Sequence, residues 1–131
     1  MSVEAGVVIV AGEPVFWHLP EGRSAGGLPD SRALWDVLWE HRLAEGLGFA
    51  HSHPGSGVPG PSYTDLTTFA AVELGLGRRL RWWITSSDRI VELAFCGPGK
   101  LMYAPTHTSV CMLEEPSWTE QLRKHSEGEQ P

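Results

Sequence analysis

The pattern of apolar and polar positions divides the chain into short strands, turns and amphipathic helices. Residues 7–10 are four β-branched residues in a row, which is typical of a strand buried on both faces. An Ala-Gly-Glu-Pro turn separates this run from a second strand at residues 15–17. Further strand patterns cover residues 47–50, 80–85, 89–95 and, at an edge of the sheet, 103–112.

Helical patterns interrupt these strands. The first helix is expected to begin at residues 30–31, Asp-Ser, whose side chains can accept hydrogen bonds from the free amides of a first turn. Gly46 is expected to end it by adopting a left-handed conformation. The second helix is expected to begin at Ser62 and to break at Gly75 and Gly77.

The order of these elements predicts the fold class. Strand and helix signals alternate and strands then dominate, which favours an α/β (α+β) fold with a mixed central β-sheet flanked by helices. A chain of 131 residues has the usual size of one domain. We therefore expect one domain over residues 1–115, followed at residues 116–131 by a C-terminal helix and a frayed tail.

Composition narrows the classes of function. The net charge is −6 and the basic residues are scattered, which argues against a nucleic-acid-binding surface. Cys96 and Cys111 are too few for a disulfide framework, and we expect both to be reduced, half-buried strand residues. No run reaches the ~20 apolar residues of a membrane span, and no basic region precedes the first apolar run as in a signal peptide. We expect a soluble, cytoplasmic protein, and its oligomeric state stays open.

The chemistry is concentrated in residues 48–54, Gly-Phe-Ala-His-Ser-His-Pro, and residues 61–65, Pro-Ser-Tyr-Thr-Asp. His51 and His53 are two positions apart at the end of a strand, so their side chains point the same way and can bind one ion. Asp65, in the first turn of the next helix, is a candidate third ligand. These nitrogen and oxygen donors suit Zn²⁺, and three protein ligands leave a fourth position for water, as in a catalytic site.

Each of these residues also has a structural interpretation. His51 and His53 are alternatively two surface histidines at a strand end. Ser62 and Asp65 form the Ser-x-x-Asp pattern of a capping box, in which two side chains satisfy the free amides of a helix start. Capping and metal binding are compatible, because a fixed helix start would direct Asp65 towards the strand end while the Ser62 hydroxyl faces a substrate.

The remaining aromatic residues are expected to be structural. His18 is expected to point to solvent or to make one hydrogen bond. Packing explains the pairs Trp35/Trp39 and Trp82/Trp83 better than a binding platform does. We expect one member of each pair to face outward, where a tryptophan beside a cleft could contact a protein substrate.

Residues 51–54 and 61–65 closely resemble the metal motif of the JAB/MPN domain, the JAMM zinc metallopeptidases; RadC-like proteins share a similar run. The family pattern also has an upstream glutamate at the start of an apolar strand, and Glu4 is similar in position. The resemblance covers about residues 4–95.

The resemblance implies the JAB/MPN (cytidine-deaminase-like) architecture and one catalytic Zn²⁺ with a bound water. His51, His53 and Asp65 would hold the ion. The spacer from His53 to Ser62 is eight residues, one longer than is usual in the family, and a loop can absorb that difference.

The implied activity is that of a zinc-dependent (iso)peptidase. The ion would lower the pKa of its water from ~15.7 to ~7. Glu4 would act as general base and then general acid, and Ser62 would donate a hydrogen bond to the oxyanion. The implied substrate is the C-terminal peptide or isopeptide bond of ubiquitin or a ubiquitin-like protein, whose tail would lie along an exposed strand beside the metal. E1-like and E2-like proteins of a bacterial conjugation system would be its partners.

Two alternatives stay open. The first is a non-catalytic MPN scaffold module, although all three ligand residues are present, which argues against it. The second is a metal hydrolase that processes sulfur-carrier proteins or other peptides.

Overall fold

A computed structural model of the protein describes residues 2–109 and 115–128. Over these residues the fold is α+β, with one six-stranded mixed sheet and three helices. In chain order, the elements are β1 (Gly6–Val10), β2 (Glu13–His18), α1 (Arg32–Glu40), β3 (Gly48–Ser52), α2 (Tyr63–Leu76), β4 (Arg81–Thr85), β5 (Ile90–Phe95), β6 (Tyr103–Ser109) and α3 (Thr119–Ser126). The predicted mixed sheet flanked by helices is confirmed. Residues 110–112 of the predicted edge strand and residues 129–131 of the predicted tail lie outside the described ranges.

The strands lie in the order β2-β1-β3-β4-β5-β6. β3 and β4 are parallel, and the other neighbouring strands are antiparallel. Parallel neighbours need a crossover connection, which α2 provides here. Because β1 runs antiparallel to β3 with Gly6 opposite His51, the start of β1, the end of β3 and the start of α2 lie at the same end of the sheet. Among the described helices, none is long and apolar enough to cross a membrane.

Helices cover both faces of the sheet. Val8 and Trp82 pack on the side of α1 and α2, whereas Val7 and Trp83 pack with Leu122 of α3 on the other side. The expectation that one of the adjacent tryptophans faces outward is wrong for this pair, because the exposed fraction is 2% for Trp82 and 4% for Trp83. Packing from both sides gives β1 and β4 their continuous apolar sequences.

Helix α1 ends earlier than predicted, whereas α2 continues through Gly75 to the predicted end at Gly77. His41 caps α1, and its backbone amide and its ring Nδ1 lie 3.1 and 2.9 Å from the same carbonyl of the preceding turn. Gly46, predicted to end this helix, lies beyond it. Gly75 lies inside α2 instead of breaking it, and a Cβ there would come within 2.9 Å of the Trp35 indole of α1. Gly77 ends α2 with a left-handed φ of 70°, as predicted.

A buried carboxylate near the end of α2 joins this helix to the sheet. Glu73 accepts hydrogen bonds at 2.9 Å from the Leu80 amide, the Trp82 indole and the Arg79 guanidinium. The Tyr103 hydroxyl also donates to Glu73. A buried charge is tolerated when it is paired and hydrogen-bonded in this way.

Both edge strands carry a proline where the strand pairing shifts. In β2, Pro14 pairs with β1 at a register shift that follows Val8. In β6, Pro105 pairs with β5 at a register shift that follows Glu92. Proline lacks an amide donor and is confined in sheets to positions such as edges and bulges.

Cys96 is a free thiol, as expected, but the prediction that it is a half-buried strand residue is wrong. This residue is exposed and lies one position beyond β5, because the strand ends where a Gly-Pro turn follows. Its sulfur donates to the Met102 carbonyl at 3.2 Å. Cys111 lies outside the described residues.

Candidate metal centre

The predicted site residues meet where β3 ends, α2 begins and β1 begins. His51 is in β3, His53 follows the end of that strand, and Asp65 lies in the first turn of α2. Glu4 lies two residues before β1. The antiparallel register of β1 and β3 brings Glu4 beside the two histidines.

The three predicted ligands converge on one point. The Nε2 atoms of His51 and His53 are 3.0 Å apart. Asp65 completes a triangle, with Oδ1 3.2 Å from Nε2 of His51 and Oδ2 3.0 Å from Nε2 of His53. Donor atoms bound to a tetrahedral Zn²⁺ lie about 3.3 Å from one another, so the observed spacing is close to that of one shared ion. The predicted convergence is present, and the role of these residues as ligands stays a prediction.

Hydrogen bonds alone do not satisfy this triangle. A neutral imidazole carries one proton on one of its two nitrogens. If both Nε2 atoms carried a proton and donated to Asp65, the two N–H groups would face each other with their nitrogens only 3.0 Å apart, and neither could accept the other's proton. Burial acts to raise the pKa of Asp65, but hydrogen bonds from the two histidines outweigh it and hold that pKa far below its ordinary value. The bond to Asp65 in turn raises the pKa of His53. A cation bound to both lone pairs would remove the conflict.

Glu4 is a second acidic group at this centre. It is 8% exposed, and its ligand oxygen and the ligand nitrogens of His51 and His53 all lie within 4.8 Å of one another, so these three residues form a possible buried metal site. Within the described part of the chain, the Glu4 carboxylate makes no hydrogen bond. Burial raises the pKa of Glu4, against the opposing effect of the two histidines. Because Asp65 lies closer to the imidazoles, it suits a direct ligand and Glu4 suits a group that acts on a water.

The predicted capping box is present at the start of α2. The Asp65 amide donates to Ser62 Oγ at 3.0 Å, and the Ser62 amide donates to Asp65 Oδ2 at 3.0 Å. Oδ2 is also the oxygen that contacts His53. Capping therefore fixes the carboxylate that faces the imidazoles. Ser62 itself is exposed, and its hydroxyl proton stays available because Oγ acts here as an acceptor.

Main-chain bonds hold the segment that carries Glu4. The Ala5 amide donates to Ser52 Oγ at 2.9 Å, and the Ser52 amide donates to the Ala5 carbonyl at 2.9 Å. On the other side, the Val3 amide donates to the Ser126 carbonyl at 2.6 Å. Helix α3 therefore supports the position of Glu4 from the far end of the chain.

A cavity of about 230 Å³ opens beside this centre. The site residues that line its polar end are Glu4, His51, Ser62 and Asp65. The rest of its wall comes from residues 26–30, from α1 and α2, and from apolar side chains of the sheet. The site is therefore open to a ligand on the side of α1 and α2.

His18 also lines the cavity, which we did not predict from the sequence. It is 2% exposed, and its Nε2 lies 2.7 Å from the Pro29 carbonyl, so the predicted single hydrogen bond is found in a buried position. Burial lowers the pKa of His18. Strand alternation could have predicted this position. His18 follows Phe16 by two positions in β2, so both side chains lie on the same face, and Phe16 packs against the core there.

The strands that carry the site residues lie inside the described sheet. β3 lies between β1 and β4, and β1 lies between β2 and β3. The nearest outer strand is β2, which ends at His18, and the expectation that a substrate tail adds to an exposed strand beside the metal stays a prediction.

No family model matches the chain, and no curated protein matches its sequence. The resemblance to the JAB/MPN domain therefore rests on the sequence motif alone.

Proposed function

We propose that this protein is a zinc-dependent metallopeptidase of the JAB/MPN (JAMM) type. The observation that carries the proposal is the approach of two imidazole nitrogens and the Asp65 carboxylate to within 3.2 Å of one another. The buried carboxylate of Glu4 beside them supports it. Two surface histidines or a capping box alone would account for neither feature.

The donor set suits the proposed ion. Two neutral imidazoles and one carboxylate are common ligands of catalytic zinc, and three protein ligands leave a position for water. When bound at His51, His53 and Asp65, Zn²⁺ would lower the pKa of a water from ~15.7 to ~7 and so supply hydroxide at neutral pH.

The other two site residues supply proton transfer and charge stabilisation. Glu4 would take the proton of the attacking water and return it to the leaving amine as the C–N bond breaks. Its raised pKa, caused by burial, brings this carboxyl closer to the neutral range in which such shuttles work. The Ser62 hydroxyl would donate a hydrogen bond to the oxygen that gains negative charge.

The proposed substrate is the C-terminal peptide or isopeptide bond of ubiquitin or a ubiquitin-like protein, and the motif resemblance alone supports this choice. E1-like and E2-like proteins of a cytoplasmic bacterial conjugation system are the proposed partners. Ubiquitin-like fusions therefore form the first panel of substrates, and sulfur-carrier fusions form the second.

The first test is the zinc content of the purified protein. We expect about one zinc per chain, a large loss in His53→Ala and in Asp65→Ala, and no loss in His41→Ala, which changes a histidine at the end of α1. A wild-type content far below one zinc per chain would favour the scaffold module instead.

The second test is cleavage of the two fusion panels by wild type, Glu4→Ala and His53→Ala. Cleavage by wild type alone supports the site. Equal rates in all three proteins would show that the hydrolysis does not use this centre.

A further inference from the structure

We propose that the cavity beside the metal centre is a specificity pocket for an apolar substituent of the substrate, next to the amide bond that is cleaved. This inference rests on the proposed function and narrows its substrate class. The preferred amides would carry a branched aliphatic or aromatic group on one side of the scissile bond, and for a ubiquitin-like tail, which ends in glycine, that is the amine side.

The lining of the cavity changes from polar to apolar with distance from the metal centre. Ser62 and Asp65 lie at the start of α2, and the cavity follows this helix past Phe69 to Val72. Six of the apolar side chains in its wall are Leu28, Leu34, Leu38, Phe49, Phe69 and Val72. Such a wall offers water few partners, so an apolar group that fills the space gains the free energy of removing apolar surface from water.

The size of the cavity suits one side chain. Its volume is about 230 Å³, and an apolar cavity of ~150 Å³ in another protein holds benzene. An isobutyl or benzyl group therefore fits, with room for the atoms that lead to the metal centre.

The polar groups near the apolar part do not favour an acidic substituent. The ring of His18 is already bonded to the Pro29 carbonyl. Asp30 contributes a carboxylate to the wall, and Glu4 and Asp65 contribute two more at the metal end. An acidic substituent would meet like charges at these three carboxylates.

The cavity continues outward between α1 and α2. A second depression shares Leu34, Leu38 and Val72 with it and reaches Trp35 and Ala71. The two depressions therefore adjoin along α1 and α2, and apolar side chains of both helices line the way from solvent to the metal centre.

The test uses hydroxamates, which chelate zinc, as probes of the zinc-loaded protein. One series carries the apolar group on the carbonyl side: acetohydroxamate, 4-methylpentanohydroxamate and 3-phenylpropanohydroxamate. The other carries it on the nitrogen: N-isobutyl and N-benzyl acetohydroxamate. Titration calorimetry gives the affinities, and zinc content is measured on the same samples.

We expect one of the two series to bind about tenfold to a hundredfold more tightly than acetohydroxamate, as for burial of a leucine or phenylalanine side chain. The series that gains affinity identifies the side of the scissile bond that faces the pocket. If every apolar probe binds as weakly as acetohydroxamate to a zinc-loaded chain, the pocket proposal is wrong and the metal centre stands. If the chain holds no zinc and binds no probe, the proposed function fails and the pocket proposal fails with it.

Two variants test the location. Val72→Phe adds a ring to the α2 wall and should bring the affinity ratio of the phenyl probe to acetohydroxamate close to one. Leu74→Phe adds the same ring on the same helix at an 85% exposed position and should leave that ratio unchanged. Leu28→Phe fills the cavity from the loop and replaces Val72→Phe if thermal unfolding shows that the helix variant does not fold. An unchanged ratio in a folded filling variant would overturn the proposal.

Discussion

Two carboxylates share the metal centre, and their surroundings shift their pKa values in opposite directions. Hydrogen bonds from the histidines outweigh burial at Asp65 and lower its pKa, whereas burial dominates at Glu4 and raises its pKa. Environments that separate the pKa values of two acids often separate their roles in a reaction. At the scale of single residues, the shorter distances from Asp65 to both imidazoles favour Asp65 as the ligand, and the raised pKa of Glu4 agrees with a role as proton shuttle.

Replacement of Glu4 by glutamine tests this division. Glu4→Gln keeps the size of the side chain but cannot accept a proton, so we expect kcat to fall about 10²–10⁴-fold while zinc content stays near that of wild type. Steady-state kinetics and zinc analysis of the same preparation check both quantities. If zinc is lost together with activity, Glu4 is a ligand and the division proposed here is wrong.

His18 should make stability depend on pH. Burial lowers its pKa below the ordinary value, so the unfolded chain binds the proton more readily than the native state. The contribution of neutral His18 to the free energy of unfolding is therefore complete above the unfolded pKa of about 6.5. This contribution is lost as pH falls through the lower pKa of His18 in the native state.

We expect wild type to lose more unfolding free energy than His18→Gln between neutral and acidic pH, by at most about 1.4 kcal/mol per pH unit. Glutamine keeps an amide donor for the Pro29 carbonyl and does not titrate. Urea unfolding in the presence of chelator gives the two profiles without a contribution from metal loss. If the unfolding free energies of wild type and His18→Gln change equally with pH, the pH dependence does not come from His18.

At the scale of elements, the start of α2 combines a structural and a chemical function. The capping box fixes the first turn, and one oxygen of Asp65 both accepts the Ser62 amide and contacts His53. The orientation of the proposed ligand is therefore determined by local helix geometry. This explains how a site can be built beside an exposed helix start.

Ser62→Ala and Ser62→Gly separate capping from catalysis. Alanine at this position should cost about 1 kcal/mol of stability and glycine only a few tenths, because glycine is a tolerated cap. Both remove the hydroxyl, so we expect both to lower kcat by about 10²–10³. Urea unfolding and kinetics measure the two effects. If the rate follows stability across the pair, Ser62 acts by capping alone.

The buried carboxylate of Glu73 should make a large contribution to stability. Glu73→Ala leaves the Trp82 indole and the Leu80 amide without their acceptor, so we expect a loss of about 3–5 kcal/mol of unfolding free energy. The matched control, Glu45→Ala, changes an exposed glutamate and should stay within about 0.5 kcal/mol of wild type. Equal effects of the two substitutions would refute the importance of this network.

The features that depend on neighbouring residues could be predicted, and those that depend on distant contacts could not. Strand alternation is a local rule, and it predicted that His51 and His53 converge. The capping box is also local, and it predicted where α2 begins. Glu73 gave no signal because its partners come from β4, β6 and the loop after α2. Gly75 was predicted to break α2. Its place inside the helix is explained by a distant contact, because the Trp35 indole of α1 packs where a Cβ of residue 75 would lie. The sequence also could not show which helix covers which face of the sheet.

At the scale of the whole molecule, the centre joins parts that are distant in sequence. Glu4 comes from the start of the described chain, His51 and His53 from the middle, and Asp65 from the crossover helix. A bound cation would link the end of β3 to the crossover helix and weaken the repulsion between the two carboxylates, since Asp65 contributes to the raised pKa of Glu4. Metal binding should therefore stabilise the fold as well as supply chemistry.

Removal of the metal should lower the thermal unfolding midpoint. Zinc at 100 times its Kd adds about 2.7 kcal/mol, which corresponds to a shift on the order of 10 °C for a chain of this size. Scanning calorimetry with and without chelator measures the shift, and Asp65→Ala should show little of it. A wild-type midpoint that does not respond to chelator would contradict the linkage.

The prolines of the two outer strands have a consequence for self-association. An unprotected sheet border is a template on which a second copy can extend the sheet and start fibril growth. Pro14 and Pro105 have no backbone N–H to donate to an added strand. The register shift beside each proline also twists the outer strand, so that it offers a less flat surface for pairing. Crowded molecules of this protein should therefore resist sheet-to-sheet polymerisation, even though their central strands are strongly apolar.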